Sequence, residues 1–226
     1  MSDATPAGGA EGDRAHTAAA LADVVAGLDR AGFAVVGDFL PSAAIAALRT
    51  EASRRDAAAL FTPAGVGRGA ARAERTDIRG DRIVWLDEMH AAGAERPLFA
   101  ALDALRLAVN AALYLGLFEF EGHYALYPPG ADYARHRDRF RDDDARVVSC
   151  VLYLNDGWRV ADGGALRLHL DRGVYRDVLP VGGTLACFLA ERFEHEVLPA
   201  TRERLALSGW FRRRKLESDS TFPQLS

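Results

Sequence analysis

Residues 133–155 have the sequence Tyr-Ala-Arg-His-Arg-Asp-Arg-Phe-Arg-Asp-Asp-Asp-Ala-Arg-Val-Val-Ser-Cys-Val-Leu-Tyr-Leu-Asn. They contain His136 and Asp138, then a polar loop, then an apolar run typical of a buried β-strand. In an extended segment, a spacing of two places both side chains on one face. One imidazole and one carboxylate that point the same way can fill two positions of a metal site.

A third metal ligand must come from elsewhere in the chain. His195, in the sequence Phe-Glu-His-Glu-Val-Leu-Pro, is the best candidate because it lies in another β-like segment. Two histidines and one carboxylate on one side of a metal leave coordination positions open. That arrangement suits the non-haem Fe(II) oxygenases, so the sequence predicts an iron site.

The last predicted strand carries an unusual arginine. Alternation places Arg204 on the same face as Ala206, Ser208 and Trp210, whereas the intervening leucines point the other way. A charge on a packed face is costly unless an anionic group meets it. A ligand carboxylate satisfies the guanidinium fork in two places, and the small neighbours leave room for that ligand. A salt bridge to a nearby glutamate, Glu203 or Glu196, is the alternative.

The composition is that of an ordinary globular chain. Of the 226 residues, 49% are hydrophobic and 27% are charged, so one domain with a sizeable core is expected. The net charge of −4 argues against a nucleic-acid-binding surface. No apolar run approaches the roughly 18–20 residues that span a bilayer, and the polar N-terminus lacks the apolar core of a secretory signal. These features predict a cytoplasmic protein with no nucleic-acid or membrane partner.

The chain has two cysteines, Cys150 and Cys187, and both lie inside apolar runs. Buried free cysteines behave as small apolar side chains. We interpret this pair as buried reduced thiols rather than as a disulfide.

The first half of the chain has mainly helical patterns. Residues 1–16 are small and polar and are predicted to be disordered. Residues 17–115 are expected to form a helical support for the rest of the domain. Within it, helices are predicted over 17–30, 41–60 and 97–115, with short strands near 33–37 and 81–87.

The second half, residues 118–213, is expected to be a β core. Its strand candidates are separated by Gly, Asp and Pro turns and cover 118–127, 132–138, 146–154, 164–170, 174–179, 183–190, 194–199 and 203–213. Short strands at such close spacing predict a sandwich or a barrel. Residues 17–213 are therefore expected to form a single domain, followed by a flexible tail at 214–226.

Residues 62–81 interrupt the helical pattern. Glycines alternate there with arginines, among them Arg68 and Arg79. The segment lacks the Gly-Lys-Ser/Thr of a phosphate-binding loop and does not follow a strand. We expect either a mobile surface loop or a lid that orders over a substrate.

Taken together, the motifs resemble those of the 2-oxoglutarate-dependent oxygenases. His136-Arg-Asp138, His195-Glu-Val-Leu-Pro and Arg204 match that family's iron-binding and co-substrate-binding pattern. Further motifs fall in the order seen in its prolyl 4-hydroxylase branch, which includes the hypoxia-inducible-factor prolyl hydroxylases and their bacterial relatives. These motifs are Tyr127-Pro-Pro-Gly, Tyr153-Leu-Asn, Gly163-Gly-Ala-Leu-Arg167, His195-Glu-Val-Leu-Pro-Ala and Gly209-Trp-Phe. Ile78-Arg-Gly-Asp resembles the bacterial members in particular.

The resemblance implies a mainly β fold with supporting helices. The expected architecture is a distorted double-stranded β-helix, of jelly-roll or cupin type, with the N-terminal helices packed on one sheet. His136, Asp138 and His195 would hold Fe(II), and Arg204 would bind the far carboxylate of 2-oxoglutarate.

Other side chains are expected around these groups. Tyr153 and Tyr127 match co-substrate positions, and Ser208 shares the strand face of the arginine. The spacing from Tyr127 to the first histidine is one residue shorter than in the animal enzymes. Tyr153 is alternatively a core aromatic with a satisfied hydroxyl.

Substrate-binding positions are also implied. Arg146 and Trp210 match positions at the entrance for the substrate proline, with plain packing as the alternative for both. The segment at 62–81, with Arg68 and Arg79, matches the part of the family that folds over the substrate peptide.

The activity that the resemblance implies is hydroxylation of a prolyl residue in a protein. Dioxygen and 2-oxoglutarate would be consumed and succinate and CO₂ released, with ascorbate as a candidate reductant. Within the bacterial branch, a loop of elongation factor Tu is the candidate substrate. One alternative is hydroxylation of a free amino acid or another small molecule. Another is an oxygenase-like fold that binds partners without turnover, against which the intact iron and co-substrate residues argue.

Overall fold

The computed structural model describes residues 8–66, 73–74, 78–138 and 145–214. The helices are α1 (Gly8–Ala31), α2 (Ser42–Ala57) and α3 (Arg96–Leu113). The strands of the first half are β1 (Phe33–Val36), β2 (Thr62–Pro63), β3 (Gly65–Val66), β4 (Ala73–Glu74) and β5 (Arg82–Trp85). Those of the second half are β6 (Leu117–Tyr127), β7 (Tyr133–His136), β8 (Arg146–Tyr153), β9 (Leu166–His169), β10 (Tyr175–Val178), β11 (Leu185–Leu189), β12 (Glu194–Val197) and β13 (Arg204–Arg213).

The described strands form two main antiparallel sheets. The larger has the order β1-β11-β8-β13-β6-β5-β2, and the smaller has the order β10-β9-β12-β7. Each strand candidate between residues 118 and 213 overlaps an observed strand. The two sheets pack against each other as a double-stranded β-helix, so the predicted fold class is confirmed.

Alternation along the larger sheet gives it two different faces. Leu205 and Leu207 on β13 join the core that the sheet forms with the helices, which contribute Val24, Leu48 and Leu105. This helical layer on one sheet is the predicted arrangement. No helix among the described residues is both long and apolar enough to cross a membrane.

The opposite face of the larger sheet packs against the smaller sheet. Ala206 and Phe188 of the larger sheet share a second core with Leu168 and Val197 of the smaller one. Small residues such as Ala206 keep this inter-sheet space from filling completely. The functional side chains described below lie in the same space.

The N-terminal boundary differs from the prediction. Helix α1 begins at Gly8 rather than at Thr17, so residues 8–16 are helical instead of disordered. Residues 8–16 contain three glycines, which disfavour a helix, but they continue a helix whose later residues Val24 and Leu28 are buried in the core. Packing of that helix therefore outweighs the low local propensity. Residues 1–7 and the tail from residue 215 lie outside the described residues.

The segment predicted as a loop at 62–81 contains short strands. β2 pairs with β5 at the edge of the larger sheet, and β3 pairs with β4 as a two-stranded ribbon. Regular backbone pairing was missed because Gly and Pro have low strand propensity. Residues 67–72 and 75–77 lie outside the described part of the chain, so the lid stays a prediction.

Candidate active site

A cavity opens between the two sheets. Its wall contains His136, Asp138 and His195, and also Arg204 from the larger sheet. The sequence predicts these four residues as the iron and co-substrate site. Folding therefore brings the whole predicted set to one cavity.

Pairing of β12 with β7 brings the two histidines together. His195 lies opposite His136, with the ring centroids 4.2 Å apart. The two carboxylate oxygens of Asp138 each lie 3.5 Å from Nε2 of one histidine. The three ligand atoms all fall within 4.8 Å of one another. Two imidazoles and one carboxylate in this arrangement fit a first-row metal such as Fe(II).

The protonation states of these side chains also suit a metal ion. Nδ1 of His136 lies 2.7 Å from the carbonyl oxygen of Ala134, and donation of its proton there leaves Nε2 free as a ligand. Burial lowers the pKa of His195 to about 4, so its ring is neutral at pH 7. Burial alone would raise the pKa of Asp138, but His195, His136 and Ser149 outweigh it and hold this pKa far below its usual range.

Ser149 orients the carboxylate ligand. Its hydroxyl, on β8, donates a 2.7 Å hydrogen bond to Oδ2 of Asp138. The side chain is almost fully buried, so water cannot easily replace it. Sequence reasoning missed this residue, although a serine inside the apolar run Val-Val-Ser-Cys-Val is a recognisable signal.

Replacing Ser149 with alanine is expected to weaken metal binding by about 10–100-fold, because the carboxylate ligand loses its orienting hydrogen bond. The dissociation constant for Mn(II), measured by electron paramagnetic resonance, checks this without requiring turnover. Ser149→Thr keeps the hydroxyl and should restore most of the affinity. Equal metal affinity in wild type and Ser149→Ala would contradict the orienting role.

Arg204 is a buried cation that has no carboxylate partner among the described residues. It is 2% exposed, and its Nε donates to the carbonyl of Gly164 at 2.9 Å. Its Nη2 is buried and has no hydrogen-bond partner among the described residues. The predicted alternative, a salt bridge to Glu203 or Glu196, is not found in the described part of the chain. Tyr153 is fully buried, and its hydroxyl also lacks a partner there.

A tight turn at Gly164 creates the space for the arginine. The backbone has φ of +72°, a conformation that favours glycine. A Cβ at this position would lie 2.9 Å from Cβ of Ala200, 3.0 Å from Cζ2 of Trp158 and 3.4 Å from Cδ of Arg204. Glycine therefore allows its own carbonyl to hold Nε while the other end of the guanidinium remains free for a carboxylate.

The predicted co-substrate residues surround this guanidinium. The ring centroids of Tyr127 and Tyr153 lie 5.0 and 5.1 Å from Cζ of Arg204. Burial raises the pKa of both tyrosines, so their hydroxyls stay protonated and available as donors. Ser208 lies in the cavity wall with Tyr127. A buried cation beside hydroxyl groups fits the far carboxylate of 2-oxoglutarate.

The residues predicted at the substrate entrance contact each other. Trp210 lies in the cavity wall, and Cζ of Arg146 lies 3.4 Å from the centre of one of its rings. Arg146 also donates to Glu121 at 2.8 Å. The Nε1 of Trp210 is buried without a partner among the described residues. Arg68 lies outside the described residues, so its role stays a prediction.

Arg79 is fixed in the cavity wall by a buried carboxylate. Its Nε and Nη2 donate to the two oxygens of Asp81 at 2.5 and 2.8 Å. Nη2 also lies 3.2 Å from Nε2 of His123, and the guanidinium covers the ring of Tyr133. Tyr133 in turn stacks on His136 at 3.7 Å. The spacing of two in Arg-Gly-Asp is the signal that predicts this pairing, and sequence reasoning did not use it.

Replacing Arg79 with alanine is expected to destabilise the fold by about 3–5 kcal/mol, because it leaves the buried carboxylate of Asp81 without its partner. The melting temperature should fall by roughly 6–20 °C, measured by circular dichroism. Arg82→Ala is the control, since Arg82 pairs with Asp56 in a much more exposed ion pair worth at most about 1 kcal/mol. Equal stability of the two variants would show that Asp81 does not depend on Arg79.

Comparison with known proteins gives a consistent set of relatives. A family model described as the 2OG-Fe(II) oxygenase superfamily matches residues 122–212. Human Egl nine homolog 1 is 34% identical over 145 residues, which cover 60% of this chain and 33% of the human protein. The hypoxia-inducible factor prolyl hydroxylase of Caenorhabditis elegans is 29% identical over 83% of this chain and 27% of its own length. The chain thus spans about a third or less of the length of these curated relatives.

Solved structures with similar folds include two prolyl hydroxylases. A Pseudomonas putida prolyl-4-hydroxylase is 52% identical and has a TM-score of 0.78, with 86% of this chain and all of that chain covered. A prolyl hydroxylase from Trichoplax adhaerens, solved in complex with a hypoxia-inducible-factor peptide fragment, is 27% identical and has a TM-score of 0.79. That match covers 88% of this chain and 91% of the other.

Proposed function

The chain belongs to the 2OG-Fe(II) oxygenase superfamily, within its prolyl 4-hydroxylase type, and we propose that it hydroxylates a prolyl residue in a protein substrate. Fe(II) and 2-oxoglutarate are the metal and co-substrate of this family. When bound, they supply the oxidising chemistry that consumes O₂ and releases succinate and CO₂. The observation that carries the proposal is a buried guanidinium, whose Nη2 has no hydrogen-bond partner among the described residues, in the same cavity as a His-Asp-His cluster.

The metal and the 2-oxoglutarate carboxylate would be bound by residues from different sheets. His136, Asp138 and His195, in the region of the smaller sheet, would hold the metal through two imidazole nitrogens and one carboxylate. Arg204 of the larger sheet would hold the far carboxylate of 2-oxoglutarate, with the Tyr153 hydroxyl as a second donor. Fixing the metal and the far carboxylate of 2-oxoglutarate in one cavity would orient the reactants.

The cavity wall also suggests where a prolyl ring would lie. Trp210 lies in the wall of the cavity that contains the His-Asp-His residues, and the Arg146 guanidinium stacks on its indole. A flat apolar ring face suits the pyrrolidine ring of proline. The peptide complex of the Trichoplax adhaerens relative supports a protein substrate. Elongation factor Tu is the candidate within the bacterial branch.

The test is succinate formation from 2-oxoglutarate with added Fe(II), measured with and without proline-containing fragments. The fragments include the proline loops of elongation factor Tu, each paired with a version in which alanine replaces proline. Parallel assays with and without ascorbate examine the predicted reductant. We expect one fragment to stimulate succinate formation and to gain one oxygen atom on its proline, as seen by mass spectrometry.

Other outcomes distinguish the alternatives. Stimulation by free amino acids but by no fragment would assign a small-molecule substrate to the same site. Metal and 2-oxoglutarate binding without any turnover would favour a binding module. An oxygen atom added to the alanine version of a fragment would show that the target is not the proline.

A further inference from the structure

Cys150 and Cys187 lie directly opposite each other on neighbouring strands. β8 and β11 are antiparallel, and their register pairs these two residues. Their sulfur atoms are 3.2 Å apart, and both side chains are buried free thiols. This separation is only about 1.2 Å longer than a disulfide bond.

The hydrogen-bonding pattern between β8 and β11 places Cys150 and Cys187 at a position that suits a cross-strand disulfide. Hydrogen-bonded pairs alternate with non-hydrogen-bonded pairs along an antiparallel ladder. The backbone N of Ala190 donates to the carbonyl of Val147 at 3.0 Å, which marks a hydrogen-bonded pair. Cys150 and Cys187 lie three positions away along each strand and are therefore a non-hydrogen-bonded pair. In such pairs the Cα atoms approach to about 4.5 Å, within the range of roughly 4.4–6.8 Å that disulfides occupy.

Both thiols lie in the core that the larger sheet forms with the helices. Ser149 points into the candidate active-site cavity, so alternation along β8 directs the Cys150 side chain to the opposite face of the sheet. Both side chains are buried, so an oxidant reaches them only when this core opens locally. Burial raises the pKa of the Cys150 thiol, so little thiolate is present at neutral pH and reaction is slow. The reduced state seen here is the one expected without a strong oxidant.

We propose that Cys150 and Cys187 form an oxidation site at which a peroxide closes an intramolecular disulfide. One cysteine sulfur attacks one peroxide oxygen, the O–O bond breaks, and a sulfenic acid and water form. The other cysteine sulfur then displaces the hydroxyl group as a second water, and the S–S bond forms. Two thiols and one hydrogen peroxide thus give one disulfide and two waters. The cross-link joins β8 to β11 on the face of the larger sheet that packs against the helices.

Peptide mapping of the full chain tests the proposal. Dilute protein is treated with hydrogen peroxide, quenched, denatured, alkylated with N-ethylmaleimide and digested with trypsin. Cleavage after Arg146, Arg159, Arg176 and Arg192 places the two cysteines in separate peptides. We expect the two peptides to appear linked in the oxidised monomer, and to separate after reduction with a phosphine.

The variants Cys187→Ser and Cys150→Ser test each thiol separately. In at least one of them, peroxide should produce a sulfenic acid on the remaining cysteine that dimedone traps, with no linked peptide in either. In the wild-type chain the proposal is overturned if both cysteines remain fully alkylated after peroxide treatment. Oxidation to sulfinic or sulfonic acid without a link, or a link found only between two chains, would also overturn it.

Discussion

Replacing His195 with alanine is expected to abolish Fe(II) binding and to reduce succinate formation to the background rate. The imidazole is one of three groups whose ligand atoms lie within 4.8 Å of one another, and alanine has no atom that can replace it. The remaining pair, His136 and Asp138, is a much poorer site because affinity depends on the number of preorganised ligands. Metal content after reconstitution, together with Mn(II) titration, measures the loss of binding directly.

His169→Ala is the matched control for this experiment. His169 lies on β9, beside β12, but it faces away from the cavity and pairs with Glu196 at 2.9 Å. The control removes a histidine from the same sheet without touching the site, so metal binding should remain. If His195→Ala bound metal as tightly as the control, the proposed ligand set would be wrong. Cooperative thermal unfolding of both variants shows that the comparison is between folded proteins.

Replacing Arg204 with alanine is expected to raise the KM for 2-oxoglutarate at least about 30-fold. A buried charge pair that loses one partner costs about 2–5 kcal/mol, and each 1.4 kcal/mol is about tenfold in binding. Metal binding should change little, because Arg204 is not one of the three metal ligands. Isothermal titration with 2-oxoglutarate, in the presence of Mn(II) in place of Fe(II), separates binding from turnover.

Arg202→Ala is the control for the loss of an arginine in this region. Arg202 is partly exposed and contacts Asp162 at 3.7 Å and the face of Trp158. Its removal should leave the affinity for 2-oxoglutarate near that of the wild type. Arg204→Lys keeps a charge but loses the fork, so its affinity should lie between those of wild type and Arg204→Ala. Equal affinity in all four proteins would exclude Arg204 as the carboxylate-binding residue.

Local sequence patterns were sufficient for most of the secondary structure. Alternation of apolar and polar residues predicted the strands of the β core, because the period of two reflects which face is buried. The patterns failed at two places in the first half of the chain. Helix α1 starts at Gly8 because the glycine-containing segment continues a helix that packs in the core, and β2 to β4 form where Gly and Pro had argued for a loop. In both cases neighbouring structure outweighed local propensity.

The sequence by itself determined the chemistry available to this protein. His136 and Asp138 share a face because of their spacing, and the motifs around His195 and Arg204 identify the family. The register of β12 on β7 was not readable from the sequence, since pairing between distant segments depends on how the whole sheet packs. Only the tertiary structure placed Arg79 against His123 and Tyr133 in the cavity wall.

The tertiary structure was also needed to find the partners of Arg204 and of the two cysteines. Sequence alternation placed Arg204 on an inward face, but only the packed structure shows that its Nη2 is buried and has no partner in the described part of the chain. Cys150 and Cys187 looked like ordinary buried thiols, and the pairing of β8 with β11 placed their sulfurs 3.2 Å apart. The physical reason is that local propensity acts over a few residues, whereas burial and contact are set by strands that meet from distant parts of the chain.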